Sequence, residues 1–178
     1  MRSVEWLGRM AGLRGFPMRT RSVFMAAVLI CAASFTVLSA QRGPLAPPMV
    51  KEGVTEKISD HVYVIPDGSV SLVPNVVIIV GSRTTFVVAT GLGARNAQAV
   101  LREVAKVSKN SDLALATTHF HPEHDLGAHA FPANTKMYRS RDQQADIDES
   151  GGDIAKRFAG FSPDTAELLK GAEFRKAD

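Results

Sequence analysis

The first apolar feature of the chain is one long uncharged run, residues 22–41, bounded by Arg21 and Arg42. Beyond it the apolar stretches shorten. Residues 55–58 and 62–65 read as short strands separated by the turn signal Ser59-Asp60-His61. Residues 76–80 (VVIIV) are continuously apolar and β-branched. Gly81-Ser82-Arg83 interrupts them and residues 85–88 resume the run. Two apolar runs around a short glycine turn predict a hairpin buried on both faces. Ala97, Val100, Leu101, Val104 and Val107 then recur at helical spacing, with Gln98, Arg102, Glu103 and Lys106 opposite them. With Asn96 as N-cap, this predicts an amphipathic helix over 97–108. Residues 113–118 predict a further strand. Strand, helix, strand in this order implies a right-handed crossover and an α/β sheet covered by helices. After Tyr138 the chain turns polar. Residues 141–149 and 165–169 read as helices, with Gly151-Gly152 between them, and no strong strand is expected past residue 140.

Charge sorts the chain into a leader and a body. The whole sequence has 21 Lys+Arg against 18 Asp+Glu, a formal net charge of +3. Residues 1–40 hold five arginines and one acid, so the body, 41–178, has a net charge of −1. The body therefore lacks the basic face that a nucleic-acid binder needs. Arg19 and Arg21 precede the apolar run, and Ser39 and Ala40 end it. This is the layout of a secretory signal peptide over 1–40, cleaved after Ala40. The rival reading is an uncleaved anchor through residues 22–41, since about 20 apolar residues span a bilayer. Ile30 before Cys31 argues against lipid attachment there. Either reading exports the body to the periplasm or the medium. Residues 41–54, opening on the Pro-rich stretch 42–48, read as a stiff linker. That leaves 55–178 as the domain. Cys31 is the only cysteine, so the body can form no internal disulfide and offers no thiolate to a metal.

The candidate chemistry is concentrated. Four of the five histidines fall within eleven residues, in Thr118-His119-Phe120-His121-Pro122-Glu123-His124-Asp125-Leu126-Gly127-Ala128-His129. They follow an apolar strand, at the carboxyl end where α/β sheets place their ligands. In an extended segment His119 and His121 point to one side and can reach one metal ion. Pro122 ends the extended stretch. Glu123 and His124, projecting from the next turn, can hold a second ion or orient water. Imidazole and carboxylate donors suit Zn²⁺ and, less selectively, Fe or Mn. Neither H-E-x-x-H nor its inverted form occurs, and His121-Pro122-Glu123 lacks the C-x-x-C of zinc deaminases. No P-loop, G-x-S-x-G or G-x-G-x-x-G is present. His61, in a turn, and His129, past the cluster, read as ordinary hydrogen-bonded or surface histidines. Asp125 reads as a helix-start acid favoured by the macrodipole, and Phe120 as a packing residue.

This motif, in this order of elements, resembles the metallo-β-lactamase superfamily. The resemblance runs from about Thr55 to Tyr138. It includes the hairpin, the Thr90-Gly91 turn, the helix, the following strand and the H-x-H-x-[acid]-H motif His119-Phe120-His121-Pro122-Glu123-His124 with Gly127 close behind. It implies a four-layer αββα sandwich, of which this chain holds about the first half. It also implies that His119 and His121 hold one zinc, and that His124 with Glu123 serves a second. A metal-activated hydroxide would attack an ester, amide or phosphoester bond of a small-molecule substrate, with Glu123 a candidate base. Three departures stand out. Glu123 replaces the family's aspartate, moving the carboxylate by about 1.5 Å, one C–C bond. Ala89-Thr90-Gly91 replaces Asp-Thr-Gly, which weakens the expected support for the site. No histidine follows His129, so the remaining family ligands are missing and the chain alone is expected to be a truncated, inactive enzyme with an uncovered sheet face. The alternative is a non-catalytic exported metal-binding module or remnant.

Overall fold

In the computed structural model, which describes residues 46–178, the two apolar runs around Gly81 form a hairpin of β3 (Val76–Val80) and β4 (Thr84–Val88). The signal-peptide and anchor readings fall outside the described residues. Ahead of the hairpin lie β1 (Glu56–Lys57) and β2 (Val62–Ile65), and after it β5 (Asp112–Ala116) and β6 (Lys136–Tyr138). All six strands form one sheet in chain order. β1 to β4 pair antiparallel, whereas β4, β5 and β6 run parallel. A parallel neighbour requires a crossover, and helix α1 (Gly93–Val107) provides it between β4 and β5. The α/β class expected from the sequence is what the chain forms.

Register decides which side chains make the core. Ile78 is opposite Val87, Val87 opposite Leu115, and Leu115 opposite Met137, a line across four strands with every member fully buried. Ala97, Val100 and Val104 of α1 join the same cluster. The alternate positions face the other way. Val77, Phe86, Val88 and Ala116 are half-buried there, and Ile79 and Tyr138 are exposed. The hairpin is thus buried on one face, not two: among the described residues, α1 covers one side of the sheet and no helix covers the other.

Several boundaries differ from the expectation, each for a packing reason. Helix α1 begins at Gly93, and Asn96 lies inside it instead of capping it. The Asn96 side chain accepts from the Val50 amide (2.6 Å) and donates to the carbonyls of Pro48 (2.9 Å) and Leu92 (2.8 Å). Gly93 has a φ of +72°, and a Cβ there would stand 2.0 Å from the Leu168 carbonyl oxygen, so only glycine fits this start. Val50 is buried, the Gly53 amide donates to Glu103 (2.9 Å), and the Thr55 hydroxyl bonds to the same carboxylate. These bonds fasten residues 48–55 to α1.

Further along, helix α2 (Pro122–Asp125), a 3-10 turn (Ala128–Ala130), helix α3 (Arg141–Ala159) and helix α4 (Pro163–Leu168) complete the unit. Helix α3 continues through Gly151-Gly152, where a break was expected. The Phe174 ring occupies the space beside Gly151, and a Cβ there would lie 3.0 Å from it. Ser140 caps α3 by accepting from the Gln143 amide (3.1 Å), and Ser162 with Thr165 forms a capping box on α4. A second apolar cluster, Leu92, Leu126, Phe158, Leu168 and Leu169, fastens α3 and α4 to the end of the sheet where the histidines emerge. Among the described residues no helix is long and apolar enough to cross a membrane.

Candidate metal centre

Strand β5 ends at Ala116, two residues short of the expected 118, and its carbonyl accepts from the Ala89 amide (3.0 Å). A bend at Thr118 and His119 follows, then an extended His121 (φ −64°, ψ 142°) and the single turn of α2. Pro122 favours this start, because it lacks the N–H that a first-turn residue leaves unused and its φ is already helical. Glu123 and Asp125 place negative charge in the same first turn.

This path brings all four sequence-predicted ligands to one corner. The ring centroids of His119 and His121 are 4.6 Å apart, and those of His119 and His124 are 4.3 Å apart. Donor atoms of His119, Glu123 and His124 all lie within 4.8 Å of one another. His121 stands beside this set, with Nδ1 3.7 Å from Glu123 Oε1 and its ring 5.6 Å from that of Phe158 on α3. His119, Glu123 and His124 thus form a compact set of three, with His121 beside it. His119 and His121 share a side, as the extended segment predicts, and the turn of α2 brings residues 123 and 124 to the same place.

The set fits a cation. Glu123 Oε2 and His124 Nδ1 are buried and have no hydrogen-bond partner. A buried polar atom without a partner costs about 1–3 kcal/mol, and a cation held by both residues would relieve it. Burial, and then the charges of His119 and His121, push the His124 imidazole down to about 4. At neutral pH His124 is thus the neutral ring that a metal requires. Two nitrogens and a carboxylate oxygen are a zinc-type donor set, with His121 a fourth group at the rim.

Thr90, Gly127 and Asp125 entered the sequence reading only as parts of the motif and its helix start; their tertiary bonds hold this corner. The Thr90 hydroxyl donates to the His124 carbonyl (3.0 Å) and accepts from the Gly127 amide (3.1 Å), while the Thr90 amide donates to the same carbonyl (2.9 Å). A Cβ on Gly127 would lie 2.6 Å from the Thr90 carbonyl oxygen, so glycine permits this approach. Asp125 does more than start a helix. Its side chain is fully buried, accepts through both oxygens from Arg139 Nη2 (2.8 and 2.6 Å) and accepts from the Thr117 hydroxyl (2.9 Å). Ala89 adds no donor, and its φ of +68° is strained for a residue with a Cβ. His61 sits exposed before β2, and His129 Nδ1 bonds to the Leu126 carbonyl oxygen (2.7 Å); neither joins the set. Phe120 is half-buried, its ring 6.4 Å from that of His121.

No protein-family model matches the chain, and no curated protein sequence does. Solved structures similar to it include metallo-β-lactamases and an alkylsulfatase. A stereoselective inverting sec-alkylsulfatase from Pseudomonas sp. is 18% identical over 59% of this chain and 18% of its own, with a TM-score of 0.46. A metallo-β-lactamase from Cronobacter sakazakii is 14% identical over 57% of this chain and 39% of its own, at 0.45. The metallo-β-lactamase DIM-1 is 16% identical over 57% and 49%, at 0.46. The chain spans less than half the length of each.

Proposed function

We propose that this chain carries the metal-binding part of a zinc-dependent hydrolase of the metallo-β-lactamase fold, exported by its leader and acting on a small-molecule ester, amide or phosphoester. The carrying observation is that Glu123 and His124, each with a buried, partnerless atom (Oε2 and Nδ1), share one compact donor set with His119. The motif spacing supports the same reading. Zinc at this corner would supply a Lewis acid for a substrate oxygen and would acidify water beside it. His124, neutral through burial, and His119 would bind the ion, and His121 would close the rim. Glu123 presents two different oxygens. Oε1 lies 3.7 Å from His121 Nδ1, and Oε2 is free to take the ion or a proton.

A second reading, an exported metal-binding module without turnover, is favoured by one observation. Among the described residues His119, Glu123 and His124 form the one compact donor set, enough for an ion but not for a dinuclear site. Zinc content and hydrolysis of a panel of lactam, thioester, sulfate-ester and phosphodiester substrates, measured on the full chain, decide between the two. Stoichiometric zinc with turnover lost in Glu123→Gln supports the hydrolase. Stoichiometric zinc without turnover supports the module. Zinc no higher than in His119→Ala overturns both.

A further inference from the structure

Helix α2 carries two of the three donors, yet it is one turn long and closed by only a few backbone bonds, such as Leu126 to Pro122 (3.0 Å). A helix this short has no orientation of its own. Its direction must come from outside, and Thr90 alone grips only the His124 carbonyl. The other grip is Asp125, the residue after His124. Arg139 presents Nη2 to both Asp125 oxygens, and Nη1 to Gln144 Oε1 of α3 (3.0 Å) and to the Arg175 carbonyl (2.7 Å). Thr117, just past β5, completes the Asp125 shell and accepts from Gln143 Nε2 of α3 (3.0 Å). One guanidinium thus joins α2, the end of β6, α3 and the C-terminal segment.

The far side of this link is anchored too. Arg175 donates to the carbonyls of Ala133 (2.8 Å) and Thr135 (2.6 Å), and the Asp178 side chain accepts from the Met137 amide of β6 (2.6 Å). A planar fork held at both ends resists rotation of the group it grips, as a single ammonium would not. Both side chains of the pair are fully buried, so no water can substitute for either partner without rearrangement.

We propose that Arg139 is a positioning residue for the metal centre: by clamping Asp125 it sets the direction of α2, so that Glu123 and His124 meet His119 already arranged for a cation. The proposal rests on the metal-site reading above. Arg139 touches none of the donors and acts only through Asp125.

The test is zinc titration by calorimetry on the full chain, with the visible spectrum of the cobalt-substituted protein as a second readout of ligand geometry. Arg139→Lys keeps the charge and loses the fork. Its zinc affinity should fall about 10- to 100-fold, the usual cost of disturbing groups behind metal ligands, and the cobalt bands should shift. Val104→Ala, a core truncation away from the site, should lower the melting temperature and leave affinity and spectrum as in the parent. Should Arg139→Lys fail to fold, the paired variant Asp125→Asn/Arg139→Gln, which buries no charge, replaces it with the same expectation. Parental affinity and spectrum in the folded variant overturn the positioning role and leave the metal site standing. A parent chain that binds neither zinc nor cobalt overturns the metal site and this role together.

Discussion

Thr90 and His124 are 34 residues apart, and the Thr90 hydroxyl meets the His124 carbonyl at 3.0 Å. Through this bond the turn after β4 reaches across and supports the backbone of a metal-ligand candidate. The same hydroxyl accepts from Gly127, so both of its bonding directions are used within one short segment. Thr90→Val, of the same shape but without the oxygen, should lower stability by about 1–3 kcal/mol, since a buried carbonyl and a buried amide both lose a partner. Thr90→Ser should recover most of that. Urea unfolding of the two variants measures it, and equal midpoints would show that the hydroxyl contributes nothing.

The donor set makes a ranking among histidines that spacing alone does not. His119 belongs to the tight group with Glu123 and His124, and His121 stands at its edge with a half-exposed side chain. His119→Ala and His124→Ala should each abolish tight zinc retention, and His121→Ala should weaken it without abolishing it. Glu123→Gln should weaken it strongly, because the amide keeps the shape and removes the charge the cation needs. Metal analysis after dialysis reads all four. Full retention in His119→Ala with loss in His121→Ala would reverse the ranking.

The four candidate ligands were legible in the sequence because they fall within six consecutive positions. The groups that hold them were hidden because tertiary pairing creates their contacts. β5 and β6 run parallel with Ala116 opposite Tyr138. That register sets Thr117 and Arg139 side by side at the strand ends, where both reach Asp125. Strand β6 itself gave little signal, since only Met137 of its three residues is buried. The hairpin and α1 were legible through long runs and a strict helical period. Gly151-Gly152 misled, because Gly151 sits beside Phe174 within a helix that runs on through both glycines.

Acid should weaken the metal-free protein through His124. Burial lowers its imidazole from the usual 6.5 to about 4 in the folded chain. Between those values the unfolded chain binds a proton that the folded chain does not, so stability falls as pH falls through this window. A shift of this size sets a ceiling of about 3 kcal/mol, and partial exposure of the ring reduces the expected loss to about 1–2 kcal/mol. Urea unfolding of the chelator-treated protein at pH 7 and pH 4.5 measures the loss. His124→Gln should show a smaller drop, because it lacks the ring whose protonation the folded chain resists. An identical drop in the two would place the acid sensitivity elsewhere.

Ile78 and Ile79 are adjacent in β3 and point to opposite faces of the sheet. Ile78 is fully buried against α1, whereas Ile79 is 37% exposed and opposite Phe86 on the face that no described helix covers. If that face is open, the two residues must differ sharply in what they contribute. Ile78→Ala should cost about 2–5 kcal/mol, the range for a large-to-small change in a packed core. Ile79→Lys should cost less than about 0.5 kcal/mol, as surface substitutions do. It should also reduce binding of a hydrophobic dye and raise the concentration at which the chain aggregates, because it breaks a contiguous apolar patch. Unfolding midpoints, dye fluorescence and light scattering report these three effects on the same preparations. A cost for Ile79→Lys above about 2 kcal/mol, with no change in dye binding, would show that this face is covered in the protein, because only a buried site charges so much for a lysine.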